Sequence, residues 1–295
     1  TPTCPLAPFL LLSNMSTTEK RQLTISGAAG RLVAIDFEFN PNTDNQRIVI
    51  FAHGFKGFKD WGHFAVLAQH FVPAGFALLR FNFSHNGTTP EQPIDFADLE
   101  AFGHNRVRYE QEDLAQVIHF ALHSNELSDN ILQESVDLIG HSRGGGNVIL
   151  AASRHPRSVR KVVSWSGIST FMRWSDEKVA EWKESGVQII PNGRTKQDMP
   201  MYYEAFAEYL SSPQQFDVVS ALKELNPNNY LQIHGAADET VGKKEMDAIH
   251  KVLPDAEQLI IPDAGHTFGS KHPRPDDTLP DHLQQAVNKT IAFLK

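Results

Sequence analysis

The stretch VDLIGHSRGG, residues 136–145, decides the fold. Its first half is a short apolar run, which is typical of a strand buried on both faces of a sheet. Its second half has the pattern Gly-x-Ser-x-Gly around Ser142, and helical spacing follows it. A strand that turns sharply into a helix exposes the serine hydroxyl, and it needs glycine on both sides because side chains there would collide. The alternative, a glycine-rich turn with an incidental serine, stays open.

Similar apolar runs recur along the chain and alternate with helical spacing. Further buried strands are predicted at 47–52, 76–81, 159–165, 230–234 and 258–262, and helices at 64–71, 109–123 and 283–294. This alternation favours an α/β fold with a mostly parallel sheet that helices cover on both faces. Residues 22–39 predict two earlier strands around a glycine turn. The second of these alternates apolar and polar residues, so we expect it to be half-exposed.

One long stretch interrupts this alternation. Residues 168–215 contain no clear buried strand and are rich in aromatic residues and methionine. We interpret them as a helical lid inserted above the sheet, with most of the aromatic side chains forming the core of the lid. The alternative is that these aromatic side chains bind an aromatic or aliphatic acyl group. The predicted organisation is therefore one domain over residues 20–295, preceded by a leader or flexible N-terminus at 1–19. Within that N-terminus, residues 1–14 are interpreted as a leader or a disordered extension ahead of Met15.

Composition excludes several classes of protein. The chain has 295 residues, 41% hydrophobic and 21% charged, which is enough to form a globular core. With 27 basic and 35 acidic residues, the net charge is −8, and a chain without a basic run is a poor nucleic-acid binder. The one cysteine, Cys4, excludes an internal disulfide and a cysteine-based zinc site. No apolar run reaches the ~20 residues of a membrane span, and we expect a cytoplasmic protein.

A serine hydroxyl is a weak nucleophile, so Ser142 needs a base and the base needs a carboxylate partner. In proteins with this strand–serine–helix turn, the acid and then the histidine follow at later strand ends. Asp238 follows the strand at 230–234, and His266 lies on a glycine-led loop after the strand at 258–262. Glu239 and Asp263 are alternatives for the acid, but Asp263 is close enough to His266 to be a local loop cap.

An oxyanion formed at Ser142 also needs hydrogen-bond donors. We expect the backbone N–H groups of Arg143 and of Phe55, in the loop HGFKG at 53–57, to supply them. Gly54 would let that loop approach closely. His85 and Trp165 are further candidates for the substrate pocket because each follows or ends a predicted strand near the site.

Five segments together resemble the α/β-hydrolase superfamily, in particular its bacterial cinnamoyl/feruloyl esterase-like and dienelactone-hydrolase-like members. They are HGFKG (53–57), RFNFSHNG (80–87), GHSRGG (140–145), HGAADETV (234–241) and AGHTF (264–268). The resemblance covers roughly residues 20–295 and implies an eight-stranded sheet, nucleophile Ser142, acid Asp238 and base His266. The sequence departs from those esterases in two places. Arg143 follows the nucleophile, and Ser84–Gly87 stands in place of a Gly-His-Gly loop. These departures affect the prediction of the substrate.

The sequence therefore predicts a serine esterase that acts on a small-molecule ester through an acyl-enzyme, without a metal or organic cofactor. Alternatives are a thioesterase, peptidase or acyltransferase with the same three residues, hydrolysis of a C–C bond, or a non-catalytic binding protein with this fold. The sequence leaves the substrate and the oligomeric state open, with a homodimer as one alternative.

Overall fold

The computed structural model describes residues 17–193 and 195–295. The interpretation of residues 1–14 concerns a segment outside the described residues. Within the described part, the strands are β1 (Glu19–Ser26), β2 (Leu32–Phe39), β3 (Gln46–Ala52), β4 (Phe76–Phe81), β5 (Ile131–His141), β6 (Val159–Trp165), β7 (Val187–Pro191), β8 (Asp198–Tyr202), β9 (Tyr230–Gly235) and β10 (Glu257–Ile261). The α-helices are α1 (Ala68–Phe71), α2 (Leu99–Gly103), α3 (Val107–His123), α4 (Arg143–Arg154), α5 (Asp176–Ser185), α6 (Tyr203–Ser211), α7 (Val218–Leu222), α8 (Lys243–Val252) and α9 (Asp281–Leu294).

Eight strands form one sheet in the order β1-β2-β4-β3-β5-β6-β9-β10. Only β2 runs against its neighbours in this sheet, because its pairs with β1 and β4 are antiparallel and the other pairs are parallel. The predicted mostly parallel sheet of eight strands is confirmed. The carboxyl ends of β3, β5, β9 and β10 consequently point to one edge of the sheet, where the predicted site residues follow them.

Helices cover both faces of the sheet, and the strands divide their side chains between two cores. On β3, Ile48 and Ile50 belong to the core that includes Leu114 of α3 and Val148 of α4. The intervening Val49 and Phe51 belong to the opposite core, which includes residues of α1 and α9. Successive side chains of a strand point to opposite faces, so a strand that is apolar on both faces can be buried on both.

The expectation of a half-exposed β2 is wrong. Apart from exposed Leu32, β2 is almost entirely buried, and its polar Asp36 is only 1% exposed. The loop after β3 covers this face of β2, because Lys59 Nζ donates to Asp36 Oδ2 at 2.6 Å. Fully buried Arg80 on β4 bonds Glu38 at 2.6 Å and pairs with Asp60 of the same loop. The polar residues of β2 therefore hold a loop through ion pairs that are largely buried.

The segment between β6 and β9 contains helices, as expected, but it is not wholly helical. Besides α5 and α6 it contains a separate two-stranded antiparallel sheet of β7 and β8. These strands carry no run of buried residues, since Ile189 on β7 is 50% exposed, so their sequence lacks the signal of a core strand. Several aromatic residues of the segment pack on one another, with the Trp182 and Phe206 ring centroids 4.8 Å apart.

Substitution of Arg80 tests the buried ion pairs under the loop. Removing one partner from a buried cluster leaves carboxylates uncompensated, so Arg80→Leu should lower the free energy of unfolding by about 3–5 kcal/mol. Urea denaturation followed by circular dichroism measures the change. The matched control is Arg274→Leu, which removes the exposed pair with Asp277 and should change the free energy of unfolding far less, because solvent screens an exposed pair. Equal, small losses in the two variants would contradict a stabilising role for the cluster.

Candidate active site

Ser142 occupies a strained turn between β5 and α4. Its backbone has φ 57° and ψ −120°, in a region that residues other than glycine rarely adopt. Its neighbours leave no room for side chains: a Cβ on Gly140 would lie 2.2 Å from the Gly144 oxygen, and one on Gly144 would lie 2.3 Å from the Ala52 oxygen. The two glycines of the motif therefore let β3, β5 and α4 meet closely beneath the serine.

A chain of hydrogen bonds links Ser142 to residues that follow two other strands. Ser142 Oγ and His266 Nε2 are 2.9 Å apart, and His266 Nδ1 lies 2.8 Å from Asp238 Oδ2. An ionised carboxylate only accepts hydrogen bonds, so Asp238 places the imidazole proton on Nδ1 and leaves Nε2 to accept from the serine hydroxyl. The structure thus brings together three side chains that are far apart in the sequence.

Asp238 is the carboxylate that pairs with His266, and neither Glu239 nor Asp263 forms a hydrogen bond or ion pair with His266. Its other oxygen, Oδ1, accepts from the backbone N–H groups of Thr240 and Val241, both at 2.9 Å. Burial by itself would raise the pKa of Asp238, but the hydrogen bond and charge of His266 and the Val241 amide outweigh it and hold that pKa at about 2. The carboxylate consequently stays ionised at neutral pH.

Two buried histidines hold the loops around Ser142. The Nε2–H of His141 donates to the His266 backbone oxygen at 2.9 Å, and the two rings lie 4.8 Å apart. His53 donates from Nδ1 to the Gly54 oxygen at 2.9 Å and accepts at Nε2 from the Phe83 amide at 3.3 Å. Burial lowers the pKa of His53 to about 4, and burial together with the nearby charge of His266 lowers the pKa of His141 to about 3. Both imidazoles are therefore neutral at neutral pH.

The loop after β3 lies directly against Ser142. A Cβ on Gly54 would be 2.9 Å from the Ser142 Cβ, so only glycine allows this approach. The next residue is Phe55, whose amide N–H makes no hydrogen bond within the described residues. The amide of Arg143 is also available, because Arg143 is the first residue of α4 and the first amides of a helix have no partner inside it. Both predicted donors thus border the serine with unused N–H groups.

The Arg143 side chain is directed to a buried acid. Its Nε donates to both carboxylate oxygens of Glu110, at 2.8 and 2.9 Å, and its guanidinium lies 4.7 Å from the Phe171 ring centroid. Glu110 also accepts from Asn105 and Asn147, both at 2.8 Å. This residue, at which the chain departs from the resembled esterases, therefore joins α4 to α3 and to the segment after β6.

Two cavities meet at Ser142. The first cavity, of about 290 Å³, and the second cavity, of about 350 Å³, share Phe55, Lys56, Ser142 and His266 as lining residues. The first is otherwise lined by Trp61, Phe64, His141, Asn192, Thr267 and His272, with residues of the loop after β3. The second is otherwise lined by Arg143, Ile168, Arg173, Trp174, Ile190, Thr240 and Val241. The site is therefore open on two sides of the serine.

Of the residues predicted for the pocket, Gly54 lines the first cavity, and His85 and Trp165 line neither cavity. His85 stacks on Tyr109, with ring centroids 4.4 Å apart, and its Nδ1 lies 2.8 Å from Ser84 Oγ. Trp165 is fully buried and donates to Thr290 at 3.0 Å. Both predictions placed a residue correctly near a strand end but took its side chain to face the site. Each side chain instead faces a neighbouring helix.

The sequence did not indicate several residues that line the cavities. Trp61, His272 and Asn192 belong to loops, and Trp174 belongs to the aromatic-rich insertion, where sequence spacing does not separate core from cavity. Within the described ranges, no cluster of three or more His, Cys, Asp or Glu side chains is arranged for a metal ion. The helices described are also too short or too polar to cross a membrane.

Comparisons with known proteins identify the architecture. A family model described as the alpha/beta hydrolase fold matches residues 47–185. Among solved structures, Est1E from Butyrivibrio proteoclasticus superposes with a TM-score of 0.65 at 15% identity, over 92% of this chain and 97% of that one. This chain has the α/β-hydrolase fold. The fold that the resemblance implied is thereby confirmed.

Two further solved structures are similar to this chain. Dienelactone hydrolase from Anabaena variabilis has a TM-score of 0.58 at 18% identity, over 94% of this chain and 97% of the other. An esterase domain from Rhodothermus marinus has a TM-score of 0.61 at 16% identity, over 93% and 97%. Est1E has also been solved with ferulic acid bound. No curated protein matches this chain.

Because His53 and His141 are buried as neutral imidazoles, we expect the free energy of unfolding to fall as the pH is lowered. The ordinary histidine pKa is 6.5, and folding lowers it to about 4 in His53 and about 3 in His141. Between pH 7 and pH 5 the unfolded chain therefore binds protons that the folded chain does not. Each histidine should lower the free energy of unfolding by about 2 kcal/mol over this interval.

Urea unfolding of His141→Gln at pH 7, 6 and 5 measures this contribution. Glutamine does not titrate, so the variant should lose about 2 kcal/mol less than the unsubstituted protein between pH 7 and pH 5. His119→Gln, at an exposed position on α3, serves as the control and should leave the pH dependence unchanged. Parallel curves for His141→Gln and the unsubstituted protein would show that His141 is not the source of the effect.

Proposed function

We propose that this protein is a serine hydrolase that cleaves carboxylic esters, with Ser142 as nucleophile, His266 as general base and Asp238 as its orienting partner. One observation carries the proposal: the unbroken hydrogen-bonded chain from Ser142 Oγ through His266 to Asp238, at 2.9 and 2.8 Å. Its support is chemical. A binding site needs no buried carboxylate, correctly oriented imidazole and strained serine in this order, whereas acyl transfer needs all three.

In the first step Ser142 Oγ attacks the ester carbonyl carbon while His266 Nε2 takes the hydroxyl proton. The ionised Asp238 stabilises the imidazolium that forms. The tetrahedral intermediate then collapses, its bond to the alcohol oxygen breaks, and His266 gives its proton to that oxygen. The products of this step are the free alcohol and an acyl group bound to Ser142.

The negative charge on the carbonyl oxygen is stabilised in this scheme by the N–H groups of Phe55 and Arg143. Both donors border Ser142 without a hydrogen-bond partner among the described residues, so a developing oxyanion does not compete with an existing bond there. The position of Arg143 at the start of α4 adds the positive end of the helix dipole. In the second step His266 takes a proton from water as the water oxygen attacks the acyl carbon. The tetrahedral intermediate then collapses, its bond to Ser142 Oγ breaks, His266 returns the proton to Oγ, and the carboxylic acid is released.

An ester is the substrate class that the similar structures favour, because they include an esterase domain and a protein solved with ferulic acid. Thioester and amide hydrolysis and acyl transfer to another alcohol use the same groups. A panel of matched ester, thioester and amide substrates with one acyl group separates these activities, and we expect the ester to be hydrolysed with the highest kcat/KM.

Substitution of the nucleophile gives the direct test. A fluorophosphonate reagent should label the protein at Ser142, and Ser142→Ala should abolish both labelling and hydrolysis of p-nitrophenyl esters. Mass spectrometry of the labelled peptide and absorbance at the released nitrophenol measure the two effects. Ser153→Ala, on the same helix α4, should retain both. Full turnover by Ser142→Ala would refute the mechanism.

Substitution of Asp238 tests the orientation of the base. Asparagine in place of Asp238 no longer fixes the Nδ1–H tautomer or stabilises the imidazolium, so kcat should fall by about 10³–10⁴. The control Asp263→Asn changes an exposed carboxyl that lies three residues from His266 in sequence, and it should stay within about twofold of the unsubstituted protein. Comparable losses in the two variants would mean that the effect is loss of local charge and not loss of the hydrogen bond.

A further inference from the structure

The segment Ile190–Asn192 of the insertion crosses the site beside Ser142. Ile190 lines the second cavity, and Asn192, two residues on, lines the first. Pro191 lies between them, and its backbone oxygen accepts from Lys56 Nζ at 3.4 Å. Lys56 itself belongs to the loop that lies against Ser142 and lines both cavities. The insertion and this loop therefore meet at the boundary between the two cavities.

This contact, which we call the Lys56–Pro191 bridge, divides the site into two compartments that communicate at the nucleophile. The bridge joins a loop of the main sheet to the end of β7. The residues common to both compartments are those of the bridge loop and of the reacting pair, Ser142 and His266. A substrate with its carbonyl at Ser142 would therefore extend one arm on each side of the bridge.

The two compartments are both large enough for a substantial group, and both have apolar walls. The first has the rings of Trp61 and Phe64, and the second has Ile168, Trp174 and Val241. The two arginines of the second are paired elsewhere, because Arg143 bonds Glu110, and Arg173 bonds Glu245 and the Thr240 oxygen. Lys56, which lines both compartments, bonds the Pro191 oxygen of the bridge. Burial of apolar surface is thus the main interaction that either compartment offers to a substrate.

We propose that the substrate is an unbranched ester with an apolar group of several carbons on each side of the carbonyl, one in each compartment. The inference rests on the proposed function and specifies its substrate class. Short acetyl or methyl esters leave one compartment without an occupant. Esters branched next to the carbonyl place a substituent against the bridge, where Lys56 and Pro191 lie.

A set of four esters tests the two arms: methyl acetate, methyl hexanoate, hexyl acetate and hexyl hexanoate. Each methylene that becomes buried in the transition state should raise kcat/KM by about fourfold. Lengthening either arm should therefore raise kcat/KM by at least about tenfold, and the two gains should combine in hexyl hexanoate. Acid release at constant pH measures all four on the same scale.

Variants in the compartment walls separate the two arms. Trp61→Ala should reduce the rise in kcat/KM that comes from lengthening one arm by about tenfold, and it should leave the rise from the other arm unchanged. Trp174→Ala should reduce the rise from the other arm and leave the first unchanged. The arm that each variant affects shows which compartment receives the acyl group. Circular dichroism and fluorophosphonate labelling of Ser142 establish that each variant is folded with a competent nucleophile.

The bridge has its own test. Hexyl 2-methylhexanoate, branched beside the carbonyl, should be hydrolysed at least about tenfold more slowly than hexyl hexanoate by the unsubstituted protein. Lys56→Ala should bring the kcat/KM values of the linear and the branched ester closer together, whatever the substitution does to either value alone. Alanine keeps the Cβ at a position whose φ is 53°, so it adds no backbone strain relative to lysine. Lys183→Ala, on α5, is the control and should keep the discrimination.

The outcomes distinguish this inference from the proposed function. Ester hydrolysis with labelled Ser142, but with a gain from only one arm or with both tryptophan variants affecting the same arm, would overturn the two-compartment substrate and leave the hydrolase intact. Absence of hydrolysis for every ester together with absence of labelling would overturn both.

Discussion

The backbone of Ser142, held at φ 57° and ψ −120°, is the constraint on which the rest of the site depends. In that conformation the Ser142 hydroxyl projects from the end of β5, and α4 begins at the next residue, Arg143. The strain persists because three elements pack against the turn with no space for a Cβ at Gly140 or Gly144. The buried parallel sheet supplies this support, since β3 on one side and β6 on the other hold β5 in place. The sheet therefore fixes a reactive geometry that a free turn would lose.

A second set of constraints acts on the loop that faces the serine. Buried polar groups of β2, of β4 and of the turn after β4 hold this loop in place. The Lys59 side chain bonds Asp36, and the Lys59 backbone amide donates to Asn82 at 2.6 Å. Asn86 donates to the Gly57 oxygen at 3.2 Å. Isolated buried charges would be costly, but these are paired and hydrogen-bonded. The segment RFNFSHNG thus has a structural explanation: its polar side chains position the loop that carries the Phe55 amide. His53 and His141 also hydrogen-bond these loops, and both imidazoles are neutral at neutral pH.

The insertion after β6 supplies residues that line the cavities around Ser142. It does not supply the residues of the hydrogen-bonded chain itself. Its aromatic residues pack largely on each other, but Trp174, Ile190 and Asn192 face the two cavities. The Lys56–Pro191 bridge connects it to the loop beside Ser142. An element with its own small core can change its cavity-facing residues without disturbing the strained turn. In the proposed mechanism, the reacting groups and the residues that select the substrate therefore belong to different parts of the chain.

The sequence by itself determined the order of the strands along the chain, the mostly parallel sheet and the turn at Ser142, because buried strands are continuous apolar runs and the turn requires glycine at fixed spacing. Chain order also singled out Asp238 and His266, which the structure places within hydrogen-bond distance of each other and of the serine. Only the tertiary structure decided that β2 is buried, that β7 and β8 form a hairpin, and that His85 and Trp165 face away from the cavities. Each of these depends on which neighbour covers a face. The spacing of apolar residues indicates whether a segment is a strand or a helix. It does not indicate whether a polar residue such as Asp36 faces solvent or pairs with a buried lysine.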